Sequence, residues 1–183
     1  SLMKDQIDNL EHSHHITCAA TINGLLDPIE RQKAYERVEE GSASILYISP
    51  ESLRSRSIER LLLGRNIARF VIDEAHCFSA WGQDFRVDYL FIGEFIKQLQ
   101  QQKQNRRQIP VSCFTATARP QVIKDIEDYF QKTLGLELQT FTASGKRKNL
   151  EFKAIAVDTP LEKYANIRRL IDAKKCPTII YVS

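Results

Sequence analysis

The stretch FVIDEAHCFSAWGQDFRVDY, Phe70 to Tyr89, contains the features that decide the fold and the chemistry of this chain. Three apolar residues lead directly into an acidic pair, Asp73 and Glu74, and a histidine, His76, follows two residues later. A segment rich in aromatic side chains comes next and reads as a loop. Because two adjacent carboxylates repel each other unless a cation or a reaction needs them, the pattern predicts a buried strand that ends at a functional site.

Short β-branched runs alternate with amphipathic helical patterns on both sides of this stretch. The predicted strands cover residues 16–22, 44–49, 69–73 and 110–116. The predicted helices cover residues 28–40, 51–64 and 89–102. This alternation is typical of an α/β fold in which a parallel sheet carries helices on both faces. Ligand sites in such sheets lie at the carboxyl ends of the strands, where the acidic pair is found.

Composition and charge are those of an ordinary globular protein. The chain has 183 residues, 43% of them apolar and 27% charged, and its net charge of +3 permits a nucleic-acid partner without arguing for one. The four cysteines lie far apart and form no CxxC pair, so we expect reduced thiols and a cytoplasmic protein, associated with the nucleoid if it is bacterial. No apolar run approaches the roughly 18 residues of a membrane span, so no membrane partner is expected.

The pattern changes near residue 143, which predicts two domains. Residues 1–143 form the first block, residues 144–149 (SGKRKN) a polar and basic linker, and residues 150–183 a second block. In the second block we expect a helix at residues 161–173 and a strand at 178–183. Both ends of the chain look abrupt, so we expect a fold that is incomplete at both ends. Its exposed sheet edges would then favour self-association.

The acidic pair has the composition of a site that hydrolyses a nucleotide. Asp73 would hold Mg²⁺ on the phosphates, and Glu74 would orient or deprotonate the attacking water. His76 could sense the terminal phosphate or bond to a neighbouring strand. The alternative is a strand end that carries a solvated acid pair and no chemistry.

A second motif, CFTATA at residues 113–118, closes another predicted strand. Its hydroxyls, Thr115 and Thr117, could bond to His76 or to groups beside the phosphates without adding charge. Alone, the motif could be a plain strand end with a threonine turn. Together with the acidic pair, it reads as the part of a helicase motor that couples the ATP site to other events.

These motifs resemble those of the RecQ family of superfamily 2 DNA helicases. SLMKDQIDNL resembles motif Ia of the family, and YISPESL resembles motif Ib. VIDEAHCFSAWGQDFRVDY resembles motif II together with the aromatic-rich loop of the family. FTATA resembles motif III, and TIIYVS resembles the start of motif IV. The resemblance implies a RecA-like sheet of the P-loop NTPase type, with ATP and Mg²⁺ as cofactors. It also implies single-stranded and duplex DNA as partners, and translocation from 3′ to 5′.

The resemblance also implies which residues would contact or sense DNA. Trp81 and Phe85 would stack on bases or act as a wedge, and Arg86 would pair with a phosphate or turn toward the nucleotide. Lys4 and Ser49 would contact the DNA backbone. Phe78 belongs to the same coupling segment, although Phe78 and Tyr89 could instead form a hydrophobic cluster beneath the loop.

The sequence departs from the family in ways that bear on activity. Ala80, Gln83, Val87 and Lys148 replace the residues usual in the loop and linker, and no GxxxxGK[ST] phosphate loop occurs. We therefore expect the chain to be inactive by itself, as part of a larger helicase. One alternative is a DNA-binding module that has lost the motor function. Another is a generic superfamily 2 motor directed to RNA or to restriction, which the aromatic loop disfavours.

Overall fold

The computed structural model describes residues 2–81, 84–103, 108–116, 119–142, 149, 151, 153–174 and 177–181. The chain divides into two compact units, Ser1–Thr140 and Phe141–Ser183. The sequence predicts a boundary near this point, at residue 143, and most of the predicted linker 144–149 lies outside the described residues.

The first unit alternates helices and strands, as the sequence predicts. Its helices are α1 (Leu2–His14), α2 (Pro28–Glu40), α3 (Arg56–Leu63), α4 (Val87–Gln102) and α5 (Pro120–Leu134). Its strands are β1 (Ala19–Ile22), β2 (Ile45–Ile48), β3 (Phe70–Ile72) and β4 (Val111–Cys113). Two short 3₁₀ helices, Pro50–Arg54 and Ala75–Phe78, follow β2 and β3.

The strands are parallel but form two pairs instead of one sheet. In the first pair Ala19 of β1 lies opposite Ile45 of β2, and in the second pair Phe70 of β3 lies opposite Val111 of β4. Within the part of the chain that the structure describes, no ladder joins the two pairs. The α/β class with parallel strands is therefore confirmed, whereas the single sheet is not formed between these strands.

Helix ends follow the local signals of the sequence in some places and depart from them in others. Asp27 caps α2 by accepting hydrogen bonds from the backbone N–H groups of Ile29 and Glu30, each at 2.8 Å, and Gly41 ends the helix in the left-handed conformation. The predicted helix 51–64 is wrong as one element. Ser55 is extended and divides it into a 3₁₀ helix and α3.

The core of the first unit lies where α4 and α5 pack on the β3 region. Its fully buried side chains include Ile58, Ile96, Leu99, Val122 and Phe130. Gly93 of α4 is needed where the two helices meet, since a Cβ atom there would lie 2.5 Å from the Tyr129 hydroxyl of α5. Burial of these apolar side chains holds the segment after β3 against α5.

The second unit contains one described helix, α6 (Pro160–Lys174). The predicted helix 161–173 is confirmed, but the strand predicted at 178–183 is not formed over residues 177–181. The described residues of this unit offer no strand that could pair with it. Across all described residues, no helix is both long and apolar enough to cross a membrane.

Candidate nucleotide and nucleic-acid site

The acidic pair lies at the carboxyl end of β3, and its backbone turns sharply there. Asp73 and Glu74 are exposed, and Glu74 adopts the left-handed conformation with φ 50° and ψ 42°. The Asp73 Oδ1 atom accepts a hydrogen bond from the Glu74 N–H at 2.9 Å, and the Ala75 N–H donates to the Phe114 carbonyl at 2.9 Å. Because a non-glycine residue is strained in this conformation, the contacts to β4 must hold it in place.

His76 joins the acidic pair to the strand-end threonine motif. Its ring is buried, and Nδ1 lies 3.2 Å from the Thr115 Oγ1 atom and 3.2 Å from the Glu74 Oε2 atom. The contact between Thr115 and His76 is therefore present, as the sequence predicts. Thr117, the second predicted hydroxyl, lies outside the described residues. One ring nitrogen thus faces both the exposed carboxylate and the segment that follows β4.

The donor set of the acidic pair fits a magnesium ion that is shared with phosphates. Both carboxylates are open to solvent, and Mg²⁺ commonly binds one or two protein carboxylates while water and phosphate oxygens complete its shell. Among the described residues, no three His, Cys, Asp or Glu side chains cluster into a cage that could hold a metal alone. The geometry therefore suits a nucleotide-bound cation better than a structural metal centre.

The aromatic segment after His76 presents two of its rings to solvent. Trp81 is 73% exposed and Phe85 is 43% exposed, and Arg86 is also exposed. Two rings and a guanidinium group that solvent reaches are what base stacking and phosphate contact require. Gly82 and Gln83, between the two rings, lie outside the described residues.

Phe78 and Tyr89 belong to the core, which corrects the placement of Phe78 among the residues that touch DNA. Phe78 is 5% exposed, and its ring centre lies 5.4 Å from that of Tyr89, 4.8 Å from Tyr129 and 5.2 Å from Phe130. A ring enclosed on these sides has no face free for a base. Burial raises the pKa of Tyr89 to about 12, so its hydroxyl stays protonated and donates to the Asp73 carbonyl at 3.2 Å.

Lys4 and Ser49 lie on two further segments of the first unit. Lys4 is exposed on α1, and Ser49 is half-buried just before the first 3₁₀ helix. Ser49 is the residue that precedes this helix, but its side chain makes no capping hydrogen bond to the helix backbone. Its Oγ atom lies instead 2.9 Å from the Ser52 Oγ atom.

Sequence reasoning missed two polar contacts that hold the ends of the aromatic segment. The Ser79 hydroxyl donates to the Asp125 Oδ2 atom of α5, and Arg54 pairs with Asp88 of α4 at 3.1 Å. The Arg54 guanidinium also lies 4.6 Å from the centre of the Phe91 ring. These partners are far apart in the chain, so no local sequence motif predicts the contacts.

Comparison with known proteins identifies the family of this chain. The profile of the DEAD/DEAH box helicase family matches residues 1–126. The chain is 34% identical to the probable ATP-dependent DNA helicase RecS of Bacillus subtilis, over 99% of this chain and 34% of that protein. It is 37% identical to the ATP-dependent DNA helicase RecQ of Bacillus subtilis, over 85% of this chain and 24% of that protein.

Similarity extends to animals at comparable identity. The RecQ-like DNA helicase BLM of Xenopus laevis is 39% identical over 61% of this chain and 8% of that protein. The chain therefore belongs to the DEAD/DEAH box helicase family, in its RecQ-like branch. It spans about a third of the RecS protein and less of the other two.

Proposed function

We propose that this chain is part of an ATP-dependent DNA helicase that couples ATP hydrolysis to translocation on single-stranded DNA, from 3′ to 5′, and to duplex unwinding. The observation that carries the proposal is the position of His76. Its Nδ1 atom lies within hydrogen-bond reach of Glu74 in the acidic pair and of Thr115, two residues after the end of β4. The exposed aromatic ring of Trp81 follows only five residues after His76.

On the nucleotide side, each group has a role that follows from its position. Asp73 would hold the magnesium ion, which neutralises charge on the phosphates during transfer. Glu74 would orient the attacking water and accept its proton. His76 would hold the Glu74 carboxylate in place and transmit its position to Thr115 and, beyond the described residues, to Thr117.

On the nucleic-acid side, the exposed loop would bind a DNA strand independently of its sequence. Trp81 and Phe85 would stack on bases, and Arg86 would pair with a phosphate. Lys4 and Ser49 would add contacts to the sugar–phosphate backbone, which position DNA without specifying its sequence. Phe78, which is buried, would support this loop from below.

The 183-residue chain by itself is expected not to hydrolyse ATP. It has no GxxxxGK[ST] stretch, and that loop supplies the backbone N–H groups and the lysine that position the phosphates. Phosphoryl transfer depends on positioning and electrostatics, so the remaining groups lack most of what the reaction needs. Val71 and Phe114, apolar side chains 63% and 58% exposed at the β3–β4 pair, are expected to favour self-association.

The first test is ATP hydrolysis by the purified chain with and without single-stranded DNA, with Glu74→Gln and Trp81→Ala variants beside it. We expect no turnover in any condition. Turnover that DNA stimulates and Glu74→Gln abolishes would show that the chain holds ATP without a phosphate loop. That result would support the assignment of the site and overturn the expected inactivity.

The second test is binding of a labelled single-stranded oligonucleotide, followed by fluorescence anisotropy. Trp81→Ala is expected to weaken binding by about 5- to 150-fold, since one stacked base contributes about 1–3 kcal/mol. Tyr164→Ala is the matched control, because Tyr164 is an exposed aromatic residue of the second unit. Equal losses in the two variants would contradict a specific role for the loop.

A DNA-binding module without motor function is the second candidate, favoured by the same absence of a phosphate loop. The two candidates differ in whether DNA binding responds to nucleotide. For the motor, ATP with Mg²⁺ should change the affinity for DNA and Glu74→Gln should alter that change. For the module, affinity should be the same with and without nucleotide.

A further inference from the structure

Ser79 lies at the junction between the buried and the exposed parts of the segment after β3. It is 1% exposed, and its hydroxyl has two partners. The hydroxyl donates to the Asp125 Oδ2 atom and accepts a hydrogen bond from the Trp81 N–H at 3.1 Å. The other carboxylate oxygen of Asp125 accepts from the Gln121 side chain at 2.7 Å. The carboxylate on α5 thus reaches the backbone of Trp81 through one hydroxyl group.

The position of this contact decides what it can do. On its buried side, the Phe78 ring packs on Tyr129 and Phe130 of α5, so the chain is already held there by apolar contacts. On its other side, Ala80 and Trp81 are exposed. The Ser79 hydroxyl therefore links helix α5 to Trp81, the residue that carries the exposed indole ring. A hydrogen bond to an ionised carboxylate is about twice as strong as one between neutral groups.

We propose that Asp125 is a positioning residue that acts through Ser79 to hold the backbone of Trp81, and with it the exposed indole ring. The consequence for DNA rests on the proposed function. A ring that is already ordered binds a base at a lower entropic cost than one that must be ordered on binding. The hydrogen bonds of the Asp125 carboxylate go to Ser79 and to Gln121 of its own helix. Its effect on DNA affinity must therefore pass through Trp81.

The first experiment needs no DNA and measures the loop directly. Trp81 is the single tryptophan of the chain, so fluorescence excited at wavelengths that tyrosine does not absorb reports this residue alone. Time-resolved anisotropy would be recorded for the unchanged chain, Ser79→Ala, Asp125→Ala and Asp125→Asn. Asp128→Asn is the matched control, because Asp128 is an exposed carboxylate on the same helix.

We expect Ser79→Ala and Asp125→Ala to increase the share of fast, nanosecond depolarisation of Trp81. Asp125→Asn keeps the shape of the side chain but loses its charge. Its share of fast depolarisation should lie between that of these two variants and that of the unchanged chain. Asp128→Asn should leave the signal as it is. Circular dichroism melts accompany each variant, and Asp125→Asn provides the comparison if Asp125→Ala does not fold. Unchanged depolarisation in the folded Asp125 and Ser79 variants would overturn the proposal.

The second experiment measures binding of a labelled single-stranded oligonucleotide. Loss of the hydrogen bond is expected to weaken binding by about two- to tenfold in Asp125→Ala, the equivalent of one net hydrogen bond. In a Trp81→Ala background, the same Asp125→Ala change should have no further effect. A merely structural role would instead weaken binding by the same factor in both backgrounds, which would overturn the proposal.

The two experiments separate failure of this inference from failure of the proposed function. If the unchanged chain does not bind single-stranded DNA, the proposed function and its consequence for Asp125 both fail. The depolarisation of Trp81 still decides whether Asp125 holds the loop. If the chain binds DNA through Trp81 but the Asp125 variants behave like the unchanged chain in both experiments, only the positioning role is wrong.

Discussion

The two halves of the segment after β3 differ sharply although both are rich in aromatic residues. Ala75 to Ser79 are all buried, at 8% exposure or less, and the side chains of His76 and Ser79 contact Thr115, just after β4, and Asp125 of α5. From Ala80 to Val87, every described residue is exposed, including Trp81 and Phe85. The comparison shows that aromatic content alone does not identify a nucleic-acid contact. The position of each ring relative to α5 decides whether it stabilises the fold or meets solvent.

The largest expected effect is a difference in stability between matched substitutions in the two halves. Phe78→Ala should lower the free energy of unfolding by about 3–5 kcal/mol, because removal of a buried ring leaves a cavity among Tyr89, Tyr129 and Phe130. Phe85→Ala, the matched change in the exposed half, should cost about 0.5 kcal/mol or less. Urea unfolding followed by circular dichroism measures both. Equal costs would show that the division between the halves is wrong.

The second effect concerns pH and the buried half. Burial raises the pKa of Tyr89 from 10.0 to about 12, so the folded chain keeps this proton at pH values where the unfolded chain has lost it. The contribution to stability is therefore complete below about pH 10 and decreases as the pH rises above it. By about pH 11.5 the loss should reach about 2 kcal/mol.

The check for Tyr89 is the pH dependence of urea unfolding in the presence and absence of its hydroxyl. Burial also raises the pKa of two thiols, that of Cys113 from 9.0 to about 12 and that of Cys77, so both curves are measured in a background in which both cysteines are replaced by alanine. Tyr89→Phe should flatten the decline between about pH 10 and 11.5. A decline of the same slope in both proteins would mean that Tyr89 does not titrate differently in the folded chain.

The third effect tests the turn that leads from the acidic pair into the buried half. Glu74 is left-handed at φ 50°, a conformation in which a non-glycine residue costs about 1–2 kcal/mol. Glu74→Gly should therefore be more stable than Glu74→Ala by about 1 kcal/mol, although both lose the carboxylate that contacts His76. Urea unfolding of the two variants provides the measurement. If Glu74→Ala is the more stable, the turn is not strained.

Local signals account for what the sequence predicts well. Helix α2 begins at Pro28 and ends before Gly41, as predicted, because the Asp27 cap and the left-handed glycine act within one turn of the helix. The acidic pair is found at the end of β3 for the same reason. The change from three apolar residues to two acids is a local signal for the end of a buried strand.

Contacts between distant residues account for what the sequence does not predict. Ser79 and Asp125 are 46 residues apart, and either residue alone reads as an ordinary polar side chain. The same holds for Phe78, whose burial depends on where α5 packs and not on its neighbours in the chain. The strand predicted at 178–183 has the right composition, but a strand requires a paired neighbour, which the described part of the second unit does not contain.

The smallest expected effect concerns the exposed half and how loosely it is held. Arg54 pairs with Asp88 at 3.1 Å and lies over the Phe91 ring, but its side chain is 52% exposed. Because solvent screens such a pair, Arg54→Ala should cost about 0.5–1 kcal/mol, with less effect at high salt. Arg54→Lys should recover part of this loss, since it keeps the charge but not the planar group. Urea unfolding at low and high salt measures the effect. A cost near that of Phe78→Ala would mean that the exposed half is anchored as firmly as the buried one, which would leave little freedom for the loop to adjust to a DNA strand.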